Sequence, residues 1–287
     1  MNDLGNDWIR LEFDFYSDDL PEKHELLVKL CRKNGIRVLG LITGGVPGNL
    51  INLFYPRAKF TPVTATQAEF QQYVRKMVTK YKGLIPKWEI WNEENSLRFW
   101  INKPNPQEYS NLLRTTYKTI KHIDPRAEVV MGGIMGDDHT KLAPFQVTEF
   151  VAKCLKADPS LSFDYLNYHP YLLDCYFSWR DISWYKDTLK QKIKNLVSYS
   201  TSMSQKQIIF SEFGISSKWV RLSSQEIAMV YKYVYDLCRA EKIDIFYWAL
   251  FDSPVHSYEP GTPENGFGLL DKNLDPKPVF TYLKKII

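Results

Sequence analysis

Short apolar runs alternate with helix-period stretches along the whole chain, and few folds accommodate that pattern. Residues 8–15 read as a strand, with Ile9, Leu11 and Phe13 alternating against Arg10, Glu12 and Asp14. Pro21 opens a helix that places Leu26, Leu27, Leu30 and Cys31 on one face and stops at Asn34-Gly35. Residues 36–42 are apolar on both faces, as in a parallel strand covered on both sides. Further strands are predicted at 88–91, 128–134, 163–168, 207–210 and 243–251, and further helices at 66–82, 105–123, 145–155, 184–199, 224–241 and 277–286. No change of composition marks a linker, so a single α/β domain spanning 1–287 is expected.

Polar, ionisable groups gather where several of these strands end. Trp91-Asn92-Glu93-Glu94-Asn95 follows one apolar run, His169-Pro170-Tyr171 another, and Ser211-Glu212-Phe213-Gly214 a third. Carboxylates at the end of a buried strand are costly to a core and useful to a site. In a (β/α)8 TIM barrel the carboxyl ends of the strands form the active face, which would bring the three clusters together. A doubly wound open sheet fits the alternation too, but no glycine-rich phosphate loop follows a strand; Gly44-Gly45 and Gly132-Gly133 are too short. Two strand-end glutamates, Glu93 and Glu212, match what glycoside hydrolysis needs: one carboxyl to donate a proton, one to attack or to activate water.

Composition narrows the alternatives. With 37 basic and 33 acidic residues the chain is close to balanced, which argues against nucleic acid. Eight Trp and 18 Tyr are on the high side for a soluble domain; some of these rings are core, and an excess suits a sugar-binding cleft, where ring faces stack on the C–H faces of sugars. The four cysteines lack metal-ligand spacing and read as buried thiols. No apolar run reaches the length of a membrane span, and residues 1–7 carry no signal-peptide pattern, so the expectation is an intracellular protein or part of a longer secreted one.

The Trp91-Asn92-Glu93 and Ser211-Glu212-Phe213-Gly214 motifs resemble the acid/base and nucleophile motifs of glycoside hydrolase clan A. His169-Pro170-Tyr171, Tyr247-Trp248, Gly268-Leu269-Leu270-Asp271 and Lys277-Pro278 resemble the same clan. Within it, family thirty-nine (β-xylosidase and iduronidase relatives) is the nearest in pattern, with family-five-like enzymes next. The resemblance implies a retaining enzyme on a (β/α)8 barrel, with Glu93 as acid/base and Glu212 as nucleophile. It also implies sugar-binding roles for Arg10, Asn92, His169, Tyr171 and Trp248. Asn92 would bond the 2-hydroxyl, Tyr171 or Tyr168 would donate to Glu212, Arg10 would keep Glu212 ionised, and Trp248 would floor the sugar site. The substrate would be an oligosaccharide or polysaccharide, with no cofactor and no metal. Glu94 departs from the clan, which usually has proline there.

Plainer readings stand beside these. Arg10 can pair with Glu12 or Asp14, and His169 can be a satisfied core histidine. Trp88 and Trp91 read as barrel packing, while one or two of Trp100, Trp179, Trp184 and Trp219 can line a cleft. Asp137-Asp138-His139 reads as a solvated loop rather than a metal site, and Asn49 and Glu264 as rim positions. Seven strands can be counted, and if Glu93 ends the clan's fourth strand, the first would lie before Met1. Residues 1–7 or a partner chain would otherwise fill that gap. A carbohydrate-binding barrel with little hydrolysis is the alternative function, and a metal-dependent isomerase a third.

Overall fold

The computed structural model describes residues 7–15, 21–44, 67–97, 99–100, 103–136, 143–172, 180–203, 206–218, 220–252 and 266–286. They pack as two compact units, Asp7–Tyr168 and His169–Ile287.

The amino-terminal unit runs β1 (Trp8–Asp14), α1 (Pro21–Lys33), β2 (Arg37–Thr43), α2 (Gln67–Lys80), β3 (Lys87–Asn92), α3 (Pro106–Ile123), β4 (Glu128–Met135), α4 (Val147–Ala157) and β5 (Tyr165–His169), whose last residue lies at the unit boundary. Its strands lie side by side in chain order. The pairs β1–β2, β2–β3 and β3–β4 are parallel, with Arg10 opposite Leu39, Leu39 opposite Lys87, and Lys87 opposite Glu128. This register sorts side chains onto two faces, because successive residues of a strand point oppositely. Phe13 packs beside Tyr81 and Trp88, with centroids 5.3 and 5.4 Å away, and stacks on His24 at 4.9 Å. Arg10, Glu12 and Glu89 alternate with that apolar set and occupy the other face. Gly40 gives Trp88 its seat: a β-carbon there would stand 2.6 Å from the indole ring.

The carboxy-terminal unit carries α5 (Ile182–Ser202), β6 (Gln207–Phe213), α6 (Ser224–Ala240), β7 (Asp244–Tyr247) and α7 (Pro278–Ile286). Asp181 caps α5. Ser223 and Glu226 form a reciprocal capping box on α6, which satisfies backbone donors that the first turn leaves open. Strands β6 and β7 are parallel, with one extra residue accommodated between Phe210 and Phe213.

Strand followed by helix thus occurs seven times among the described residues, the element order of an incomplete (β/α)8 barrel. The predicted elements all appear, with ends moved by a few residues. The last strand stops at Tyr247 rather than 251, where the chain leaves the ladder and Phe251 bridges to Leu270 instead. Helix α1 is rotated from expectation. His24, Val28 and Cys31 are buried, while Leu26, Leu27 and Leu30 stay exposed at 61, 38 and 46%. Two overlapping stripes of helical period run through this segment, and the Phe13–His24 stack selects the one that faces the sheet. Cys31, Cys154 and Cys238 are buried free thiols, and Cys175 lies outside the described residues. Among the described residues no helix is long and apolar enough to cross a membrane.

Replacing Gly40 by Ala should force the Trp88 ring from its seat. A loss of about 1–3 kcal/mol in urea unfolding is expected, the usual cost of overpacking a core.

Candidate active site

In the amino-terminal unit the site is built on the end of β3. Trp91 and Glu93 both adopt left-handed backbone conformations, with φ of 72° and 47°, which cost energy for residues with a β-carbon. Neighbouring contacts hold them there. The buried Trp91 indole donates to Phe99 O at 2.8 Å and packs edge-on against Trp100. Glu93 N donates to Gly133 O at 2.9 Å, and Ser96 N closes the turn onto Glu93 O at 2.8 Å. Asn95 clasps the end of β4, accepting from Met135 N at 2.8 Å and donating to Met135 O at 3.1 Å. Backbone strain at a strand end, pinned from both sides, is typical of functional sites.

Arg10 lies on the same side of the unit. Its guanidinium donates to both oxygens of Glu89, at 2.7 and 2.8 Å, and to Asn92 Oδ1 at 2.6 Å. Asn167 Nδ2 and Gly133 N also donate to Glu89, at 2.9 and 3.2 Å. Glu89 is fully buried and was not among the residues singled out from the sequence. A lone carboxylate inside an apolar strand was the available signal, since a buried charge requires a partner. That partner is Arg10, and the bidentate pair orients Asn92 as well.

Glu94 is buried completely, and neither carboxyl oxygen meets a hydrogen-bond partner among the described residues. Burial pushes its pKa up to about 8, and the Glu89 and Glu93 charges add to the shift. Gly132 clears the space, because a β-carbon there would collide with Glu94 Oε2 and approach Ile90 O to 2.8 Å.

In the carboxy-terminal unit the site is built on the end of β6. The extra residue in this strand falls at Ser211–Glu212, and such bulges re-aim side chains at strand ends. The Tyr171 hydroxyl donates to Glu212 Oε2 at 2.9 Å, and His169 Nδ1 lies 3.7 Å from the same oxygen. His169 Nε2 is 2.8 Å from Ser211 Oγ, which fixes the ring. Trp248 is half-buried, and its ring meets Phe267 at 5.0 Å and Tyr171 at 6.5 Å between centroids. The Trp248–Ala249 peptide is cis. Gly214 permits this wall, since a β-carbon at that position would collide with Trp248 O.

Of the residues predicted from sequence, Arg10, Asn92 and Glu93 belong to the amino-terminal unit, and Arg10 contacts Asn92 directly. His169, Tyr171, Glu212 and Trp248 belong to the carboxy-terminal unit, where Tyr171 touches both Glu212 and Trp248. Trp88, Trp91 and Trp100 are buried packing, and Trp184 lies in the first turn of α5 with its ring edge-on to Tyr185. Asn49, Asp137, Asp138, His139, Trp179, Trp219 and Glu264 lie outside the described residues.

Comparison with known proteins gives the fold a context. No family model matches the chain. A curated β-xylosidase of Geobacillus stearothermophilus is 31% identical over 84 residues, 29% of this chain and 15% of that protein. Among solved structures, a family 39 glycoside hydrolase from Bacteroides cellulosilyticus WH2 matches 99% of this chain and 58% of its own, with a TM-score of 0.69 at 19% identity. A glucosidase from Croceicoccus marinus matches 99% of this chain and 60% of its own, at 0.70 and 12%. An exo-β-1,4-mannosidase from Opitutaceae bacterium strain TAV5 matches 100% and 53%, at 0.67 and 16%. The chain therefore has the fold of these glycoside hydrolases, and spans a little over half the length of those solved proteins.

The Glu94 assignment predicts a pH-dependent stability. Between the unfolded carboxyl's pKa of 4.5 and about 8 the folded chain keeps a proton that the unfolded chain releases. The contribution of Glu94 to stability should therefore be fully present below pH 4.5, fall by about 1.4 kcal/mol per pH unit up to pH 8, and level off above. Glu94→Gln should remove that slope, as measured by urea unfolding of both proteins at pH 5, 6.5 and 8.

Proposed function

We propose that this chain is a retaining β-glycosidase acting on oligosaccharides or polysaccharides. The single observation that carries the reading is the Tyr171 hydroxyl donating to Glu212 Oε2 at 2.9 Å. A phenol aimed at a carboxylate oxygen favours the ionised, attacking form and fixes its direction. The fold shared with glycoside hydrolases supports it, as does the placement of Glu93 on a strained turn at a strand end.

In the first step a Glu212 oxygen attacks the anomeric carbon. The bond from that carbon to the glycosidic oxygen breaks, and the leaving oxygen takes the proton of Glu93. In the second step Glu93 takes a proton from water, the water oxygen bonds to the anomeric carbon, and the ester to Glu212 breaks. Asn92 has a defined part in both steps. Its Oδ1 already accepts from Arg10, so its amide N–H groups are the ones offered to a sugar hydroxyl. A hydrogen bond to the 2-hydroxyl strengthens as positive charge grows on the ring. Trp248, backed by Phe267, supplies an aromatic face for the sugar, and His169 a polar edge beside Glu212.

Glu212→Ala should abolish hydrolysis of aryl β-glycosides. Added azide should restore turnover and give the glycosyl azide of inverted configuration. Glu93→Ala should lower the rate by about 10²–10⁴-fold, least for substrates whose leaving group needs no proton, and its azide product should retain configuration. Unchanged hydrolysis by Glu212→Ala would overturn the reading.

A further inference from the structure

Glu94 has no part in the two-step reaction, yet its setting is specific. Four observations concern its carboxyl: complete burial, two oxygens without hydrogen-bond partners among the described residues, the opening at Gly132, and the turn it shares with Glu93. The neighbouring Tyr109 hydroxyl has already committed its proton, donating to Ile90 O at 3.1 Å, and it accepts from Gly132 N at 2.7 Å. A fully buried carboxylate whose oxygens make no hydrogen bond among the described residues is costly, and the protonated acid avoids that cost. The titratable groups that face Glu94 are Glu89 on β3, Glu93 on its own turn, Tyr109 on α3 and Cys154 on α4. None of them is cationic in its ordinary states, and burial outweighs the help that the Glu94 N–H and the Tyr109 hydroxyl give the ionised form.

The same turn carries Glu93 in its left-handed conformation. Asn95 holds the turn to the end of β4 through Met135, and Glu94 plugs it into the gap above Gly132 three strand positions earlier. We propose that Glu94 is a positioning residue for Glu93, anchoring the 93–96 turn against β4 while protonated and releasing that turn when its proton is lost. This rests on the reading of Glu93 as the acid/base, and it gives that group an alkaline limit set by a neighbour.

The test uses the intact chain and two variants, Glu94→Gln and Glu94→Met, both of similar length and neither able to ionise. Hydrogen exchange of the amides of residues 93–97 is followed from pH 6.5 to 9.5 and corrected for the intrinsic rise in rate. In the wild type, protection should fall about tenfold per pH unit as pH rises from 6.5 to about 8 and level off above, and in both variants it should stay level throughout. Aryl-glycoside turnover, each profile scaled to its own maximum, should fall over the same pH range in the wild type and only at higher pH in Glu94→Gln. Equal loss of protection in all three proteins, or none in the wild type, would overturn the proposal. Absence of any glycosidase activity would overturn the reading of Glu93 instead, and the exchange measurements would still decide the role of Glu94. Should Glu94→Gln fail to fold, Glu94→Met gives the same comparison.

Discussion

The amino-terminal unit depends on one buried ion pair, Arg10 with Glu89. Two charges withdrawn from water are tolerable only with close geometry and with their remaining lone pairs satisfied. Here both guanidinium contacts to the carboxylate are below 3 Å, and Asn167 and Gly133 supply further donors. The pair links β1 to β3, and through Asn167 to β5, so three strands share one electrostatic centre. Removal of either partner would strand a charge at a cost of about 3–5 kcal/mol. Because Arg10 also grips Asn92, the network that holds the strands together also orients the polar end of β3.

Much of this was legible in the sequence, and the reasons differ by element. Strand and helix positions followed from periodicity, because buried parallel strands and two-sided helices leave unlike patterns. The strand-end clusters at Asn92-Glu93, His169 and Ser211-Glu212 were visible because ionisable groups interrupt apolar runs there. Face selection in α1 was not visible, since Leu26, Leu27 and Leu30 compete with His24, Val28 and Cys31 for the same sheet. The Phe13 ring, stacked on His24, favours the second set. The partner of Arg10 was equally hidden. Glu12 and Asp14 are near in sequence, whereas Glu89 becomes its neighbour only through strand register.

Glu93 and Glu94 show how little of a carboxyl's behaviour lies in its own chemistry. They are adjacent in the chain and share one turn. Glu94 is completely buried, and that burial holds it neutral. Gly132 decides this outcome from another strand, by leaving out a β-carbon where the Glu94 carboxyl must sit. A single hydrogen-for-methyl exchange on β4 would thus alter the protonation of a group on the turn that follows β3.

Tyr171 ties two properties that a designer would want to vary separately. Its ring is edge-on to both Trp248 and Phe267, and its hydroxyl terminates on Glu212. Reshaping the aromatic wall to admit a bulkier ring would shift the phenol and so detune the carboxylate it steers. Fit and reactivity share one lever, and any change of sugar preference made by resculpting that wall would have to restore the tyrosine's aim by a second, compensating substitution.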